Sequence, residues 1–402
     1  MDFSLSPEEL AFKKEVNDWL DEHMKELPDW WVRNDGSGPE PESEENQRFS
    51  MEWHKKLYDA GFIGIAWPKE YGGRGATIME QVIFNEEMAK RHAPTGAGGL
   101  GVGWAGPTII AAGTEEQKKR FLPKILSGEE SWCQAFSEPG AGSDMANIQT
   151  KAVEDGDYYV VNGQKVWTTG GMRADWAILL ARTDFNPDIP KHRGISYFLL
   201  DMHAPGVTVR PLREMHGEAL FGETFLDDVR IHKSLMVGEK NKGWYISMGT
   251  LEFERSNSST AIGLLNTVDN LIALAKTMKR NEEALSNDPM VRQQIAQFYI
   301  EVNVAKYIGL RALTRQLRGM TPGPESAVGS LLIMELGQRM QNFAMTLQGP
   351  YSRLMKGSKY AVENGRWQRS FLSSRGDTIM TGTSEIKRNI IAQRTLGLPR
   401  WV

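Results

Sequence analysis

The chain has 402 residues, 40% hydrophobic and 24% charged, with a formal net charge of -4. That length asks for two or three cores at roughly 150 residues each, and the small, mixed charge argues against a nucleic-acid partner. No apolar run approaches the ~18 residues that span a bilayer, so no membrane insertion is expected, and the single cysteine, Cys133, excludes an internal disulfide and suits a reducing cytosol.

The opening MDFSLSPEEL has neither a basic n-region nor an apolar h-region, so no signal peptide and a cytoplasmic location are expected. Ser6-Pro7-Glu8-Glu9 writes a capping box with proline at the first helical position. Leu10, Val16, Trp19 and Leu20 follow at helical spacing. Asn34 to Glu45, acidic and proline-containing, reads as a surface loop. Further helices are expected over Gln47 to Ala60, over Thr77 to Lys90, and from the capping box Thr114-Glu115-Glu116-Gln117 towards Leu126. Beyond Gly128 the pattern turns to strands. Tyr158 to Val161, Asn162-Gly163 and Gln164 to Thr168 read as a hairpin with a type I′ turn. Trp176 to Ala181, Ile195 to Asp201, Gly206 to Pro211 and Thr224 to Val229 read as further strands of a small barrel or sandwich. Helical periodicity returns over Gly243 to Lys279, Pro289 to Arg318, Glu325 to Gln348 and Ser384 to Thr395. The expected class is α+β: an N-terminal helical domain over 1–130, a middle antiparallel β-barrel or sandwich domain over 131–240, and a C-terminal four-helix bundle over 241–402.

Some signals point nowhere. Gly96-Ala97-Gly98-Gly99-Leu100-Gly101 matches the dinucleotide pattern G-x-G-x-x-G, but no strand precedes it, and a flexible glycine-rich segment is the plainer reading. The seven histidines, His192 and His203 among them, show no zinc spacing, so no metal is expected. Cys133 has no base beside it in sequence and reads as a core residue.

Three stretches mix glycines, hydroxyls and aromatics. WCQAFSEPGAGSDMANIQT, Trp132 to Thr150, runs an apolar strand through Gln134 and Phe136 into Ser137-Glu138-Pro139 and then Gly140-Ala141-Gly142-Ser143-Asp144. Backbone N–H groups there would face an anionic or carbonyl-bearing ligand, or the segment is an ordinary surface turn. NGQKVWTTGG, Asn162 to Gly171, brings an aromatic and two threonines out of a strand. Trp167 is either one wall for a flat ligand, with a threonine at the ligand's edge, or a buried residue closing a barrel. The third, DTIMTGTSEIKRNIIAQRTLG from Asp377 to Gly397, opens a short helix on Thr381-Gly382-Thr383-Ser384, a turn that can cap the helix or hold a ligand.

With YGGRG, PTIIAAGTEEQKKRFLPKILSGE, SEPGAGSD, KVWTTGG, FLDDVRI and GTSEIKRNIIAQRTLGLPR in order along the chain, the sequence resembles the acyl-CoA dehydrogenase family over nearly its whole length. The resemblance implies FAD lying between the β-domain and the bundle and completed by a neighbouring subunit. It implies that Phe136 and Ser137 meet the isoalloxazine through backbone and hydroxyl groups, and that Trp167 and Thr169 close on its other side. Gln134, Gly142 and Ser143 join that cofactor set, Ser143 also lying near the CoA moiety, and Thr383 and Glu385 reach the cofactor from the helix-opening turn. The implied reaction removes an α-proton to a carboxylate and a β-hydride to the flavin, with an electron-transfer flavoprotein as the next acceptor.

Many family members place the base immediately before the Gly-Thr of the last motif. Here that position is Thr381, which cannot take a proton. A minority carry the glutamate on the long helix after the β-domain, just before an arginine. Leu251-Glu252-Phe253-Glu254-Arg255 has that pattern, so the resemblance assigns the base to Glu254. Glu252, on a different helix face, joins Ser143 and Arg255 as an expected substrate contact and is the rival base.

Two family features are altered. An Arg-x-x-Phe-Gly stretch that reaches a neighbour's FAD is replaced by Lys279-Arg280-Asn281-Glu282-Glu283-Ala284-Leu285, and the glutamine and paired glycines of the adenosine end by Thr346-Leu347-Gln348-Gly349-Pro350. A homo-oligomer, dimer or tetramer, therefore competes with a heterotetramer containing a related chain. The glycine-rich GVGWAGPT, Gly101 to Thr108, stands where family members line the acyl pocket and suits a bulky acyl group, branched or cyclic, of the kind found in sterol breakdown. Flavin oxidases or monooxygenases of the same fold, and a non-catalytic accessory subunit, are the competing readings. Glu254 weighs against the first, and an intact SEPGAGSD together with Glu254 against the second.

Overall fold

Both capping boxes form as written. Ser6 Oγ accepts from Glu9 N (3.2 Å) and Ser6 N donates to Glu9 Oε2 (2.8 Å), opening the Pro7–His23 helix. Thr114 and Gln117 do the same for Glu115–Ser127, which ends on Gly128 at φ 76°. The computed structural model describes residues 4–33, 43–255, 259–320, 323 and 326–399, without the side chains of 32, 33, 251–255, 259 and 260. The expected loop Asn34 to Glu45 lies largely outside those residues. Its described end is already Ser43, the N-cap of the helix Glu44–Asp59, so that helix starts ahead of the expected Gln47. The next helix, Ile78–Lys90, begins one residue after its expected start.

The chain divides into two units, one of Gly38–Thr77 and Pro94–Arg255, the other of Met1–Ser37, Ile78–Ala93 and Ser256–Val402. The first is built on an eight-stranded sheet: β1 Trp132–Ala135, β2 Lys151–Asp155, β3 Tyr158–Thr169, β4 Trp176–Arg182, β5 Ile195–Asp201, β6 Val207–Leu212, β7 Phe221–His232 and β8 Met236–Val237. The order is β6-β7-β3-β2-β4-β5-β8, with β1 pairing β4. Most pairs are antiparallel, but β1 runs parallel to β4. β4 and β5 are apolar on both faces and buried on both, as central strands must be. β7 alternates buried and half-buried residues over its first half. Ala135, Val161, Leu179, Phe198, Leu200 and Val229 form the core on one side.

The hairpin expected at Asn162-Gly163 does not form. β3 runs unbroken for 12 residues, and Asn162-Gly163 sits at a register shift against β7. The actual turn is one strand earlier: β2 and β3 pair from Asp155↔Tyr158, across Gly156 at φ 58°, the glycine-first geometry of a tight hairpin. Asn162 is held in the strand by Asp228, donating from Nδ2 to Asp228 Oδ1 and accepting from Asp228 N, both at 2.9 Å. Gly163 is a glycine for space, since a Cβ there would lie 2.4 Å from Thr150 Oγ1. The type I′ signature, positive φ at both central residues, appears instead at Asn281 (51°) and Glu282 (72°), which join the two-residue strands Lys279–Arg280 and Glu283–Ala284.

One helix was expected over Gly243 to Lys279. The structure has Gly243–Arg255 in the sheet unit and Ser259–Thr277 in the other. The first is fixed to its unit by polar side chains facing inward: Thr250 Oγ1 lies 2.8 Å from Thr108 Oγ1 and 3.4 Å from the Tyr197 hydroxyl. In the second unit Ser259–Thr277, Pro289–Leu317 and Ser326–Gln348 bury Leu271, Leu274, Phe298, Val302, Leu336 and Met340 together. Short helices at Arg366–Ser373, Asp377–Met380 and Ser384–Ile390 follow; the sequence pattern gave no sign of the first two. Ser384 to Thr395 was expected as one helix, and its last turn, Ile391–Thr395, is a wider π-turn.

Candidate functional site

The loop after β1 is held from beneath by buried charge. Glu138 and Ala141 exchange backbone hydrogen bonds at 3.0 Å, closing a tight turn. The Glu138 carboxylate accepts from Gln149 N (2.6 Å), Thr150 N (2.9 Å) and Lys165 Nζ (2.8 Å). Lys165, on β3 and fully buried, also donates to the Phe136 carbonyl at 3.1 Å. Burial pulls the Lys165 ammonium down to about 8 against the pull of Glu138. Burial likewise pushes the Glu138 carboxyl up, but the Lys165 charge and the N–H donors outweigh it and hold it below the ordinary range. Arg182 grips the far end of the loop, donating to the carbonyls of Ala146 (2.7 Å) and Ile148 (3.2 Å). Between these clamps Gly140, Gly142, Ser143 and Asp144 are exposed.

Seven of the expected cofactor residues lie on or beside this clamp. Gln134 is on β1, with its Nε2 buried and without a partner. The Phe136 ring is buried edge-on to Tyr197, with centroids 5.7 Å apart. Ser137 offers its carbonyl to Val166 N at 2.9 Å, tying the loop to β3. Trp167 is not buried in a barrel: it is 58% exposed, at φ 61° within the second register shift of β3, and its ring meets Phe221 edge-on at 5.7 Å. Thr169 is exposed at the strand's end, while Thr168 between them is buried. The exposed Gly142 and Ser143 lie on the loop the clamps hold.

In the other unit, Thr383 caps the Ser384–Ile390 helix, its Oγ1 accepting from Ile386 N at 3.2 Å. Lys387 Nζ, buried, donates to the Thr381 carbonyl (3.1 Å) and lies 3.3 Å from its hydroxyl. Glu385 is exposed, its carboxylate held below the ordinary range by its own N–H and by the Thr383 hydroxyl. Thr383 and Glu385 line a cleft of about 450 Å³ with Gln338, Arg339, Thr378 and Arg388, whose two arginines pair with Glu301 and Glu335. Glu252, Glu254 and Arg255 occupy the last turn of Gly243–Arg255, and their side chains lie outside the described residues.

Sequence reasoning missed Lys165 and Arg182, and gave Glu138 no task. A lysine at a buried position of an alternating strand was the available signal for the first. The G-x-G-x-x-G segment holds no nucleotide fingerprint. His54 fills its space: Cβ atoms at Gly96, Gly98 and Gly128 would lie 3.1, 2.6 and 2.8 Å from the imidazole. Its Nε2 is 2.9 Å from the Leu126 carbonyl, and burial lowers the ring's proton affinity against the pull of that carbonyl. Cys133 is a core residue, its thiol pushed up to about 12 by burial. Among the described residues no cluster of His, Cys, Asp and Glu could hold a metal, and no helix is long and apolar enough to cross a membrane.

Comparison with known proteins places the chain. Models of the acyl-CoA dehydrogenase N-terminal, middle and C-terminal domains match residues 6–129, 133–229 and 241–396. The chain is 38% identical to the acyl-CoA dehydrogenase IpdE1 of Mycolicibacterium smegmatis, over 97% of this chain and 98% of the relative. Among solved structures it is similar to the ChsE4-ChsE5 complex from Mycobacterium tuberculosis, at 32% identity and TM-score 0.82 over the whole of both chains. A steroid ACAD, Tcur3481-Tcur3483, superposes with TM-score 0.84 at 29% identity, again over both whole chains.

Proposed function

Because this chain belongs to the acyl-CoA dehydrogenase family, flavoprotein oxidoreductases that act on acyl-CoA, we propose that it desaturates a ring-bearing or branched acyl thioester with FAD, Glu254 taking the α-proton. Domains over 1–130, 131–240 and 241–402 and an electron-transfer flavoprotein as acceptor belong to the same proposal. The residues fit a flavin. Trp167 offers an exposed aromatic face, and Gln134 Nε2 is a buried donor in want of an acceptor, as the polar edge of a flat ring would provide. Bound FAD supplies the acceptor for the hydride that leaves the β-carbon. Ser137 and Thr169 orient the ring, Ser143 binds the CoA moiety, and Thr383 and Glu385 hold the cofactor from the bundle.

Helical spacing separates the two glutamates. Ser247 and Thr250 are buried and face inward. Position 254 follows them by seven and four residues and continues their face; position 252 does not. An α-proton is weakly acidic, so its base must work away from water, where a carboxylate's proton affinity rises. Glu254→Gln should cut turnover with an artificial electron acceptor by about 10²–10⁴-fold with flavin content unchanged, while Glu252→Gln keeps most activity. Unchanged turnover in Glu254→Gln would overturn the assignment.

A related second chain completing the FAD site belongs to the proposal. Where the family has Phe-Gly, the hairpin here carries Glu283-Ala284, and a carboxylate there repels a pyrophosphate. Gln348 is turned into the core, accepting from Gln368 Nε2 at 2.9 Å. One relative is itself a complex, ChsE4-ChsE5. The steroid named in another relative, with Gly103 exposed and open to an added Cβ, favours a bulky acyl group. If the chain expressed alone purifies yellow with one FAD per chain, the heteromer is wrong. A panel of acyl-CoAs, linear against ring-bearing, tests the substrate.

A further inference from the structure

We infer that Lys165, Glu138 and Arg182 are positioning residues, which hold the segment from Phe136 to Thr150 in the conformation that presents Ser137 to the cofactor and Ser143 to the CoA moiety. The ligands rest on the proposed function; the holding does not. The three side chains bind the Phe136 carbonyl, the Gln149 and Thr150 amides, and the Ala146 and Ile148 carbonyls, all on that one segment. Beyond the turn closed between Glu138 and Ala141, its exposed middle is glycine-rich and conformationally permissive. Stability alone does not call for this arrangement, because a buried ion pair is commonly matched by well-packed apolar residues of the same volume. An apolar pair could not, however, bind backbone N–H and C=O groups at defined points. Position, rather than stability, is what the charges supply.

Two variants separate these effects. Lys165→Met leaves Glu138 buried and uncompensated, so it should lower the melting temperature and loosen the loop together. Adding Glu138→Gln removes the stranded charge, so the double variant should regain most of the melting temperature. If the pair positions the loop, two readouts should stay changed in the double variant. Hydrogen exchange at the Gln149 and Thr150 amides should remain roughly tenfold faster, the scale of one lost charge-assisted hydrogen bond. The dissociation constant for free coenzyme A, by calorimetry on the flavin-loaded protein with any partner chain it needs, should remain raised by a similar factor. Exchange and affinity that both recover with the melting temperature would overturn the inference. Wild-type protein that binds no coenzyme A would count against the proposed function, while the exchange measurement would still decide whether the charges hold the loop.

Discussion

The two regions assigned to the cofactor are built on opposite plans. In the sheet unit, a glycine-rich loop is held by buried charges, Lys165 against Glu138, whose partners are backbone groups many residues apart. In the helical unit, the turn at Thr381 to Thr383 is held mainly by local means, a threonine cap and a buried lysine one helical turn further on. Met334 of the Ser326–Gln348 helix is a distant contact of both Thr381 and Lys387. The first can be undone only by breaking a buried network. The second leaves its carboxylate, Glu385, in water. Long-range holding gives a loop precision that its own sequence lacks, whereas a helix start carries its geometry with it.

The contrast yields graded expectations. Lys165→Met should be the most damaging, costing about 3–5 kcal/mol by denaturant midpoint, as the loss of one partner of a buried pair does; a smaller loss would mean that water reaches the pair. Gly163→Ala drives a methyl into Thr150 beside the same network and should cost about 1–3 kcal/mol. Thr383→Ala removes only a cap and should cost about 1 kcal/mol, so a loss as large as that of Lys165→Met would erase the distinction between the two plans. A further effect depends on pH. Burial raises the Asp377 carboxyl to about 6, against the pull of Arg375. A raised acid costs stability when ionised, so Asp377→Asn should stabilise the protein above about pH 6 and lose that advantage as the pH falls towards the usual aspartate range. Melting curves of both proteins across that window check the sign.

Helix starts were legible because capping is local: Ser6, Glu9, Thr114 and Gln117 do what their spacing says. The strands were legible as apolar runs, but their connections were not. Asn162-Gly163 carries the strongest short hairpin signal in the chain, yet the partner that claims Asn162 is Asp228, 66 residues away. Nothing near Asn162 announces that pairing. The site divides in the same way. Motif residues such as Ser137, Trp167 and Thr383 could be named from sequence, and Trp167's exposure excludes its reading as a buried barrel residue. Lys165 and Arg182 could not, since their work is done on carbonyls and amides, which have no letter in a sequence.

His54 and the glycines around it carry a consequence for how this region can vary. A methyl group at position 98 would land 2.6 Å from the imidazole and 2.7 Å from Val102 Cγ2, so alanine there requires both side chains to give way. Replacing His54 alone would leave three bare backbones facing a void. Position 98 is therefore expected to vary together with its neighbours, whereas Gly96 and Gly128, at φ 78° and 76°, stay glycine for their backbone whatever fills position 54.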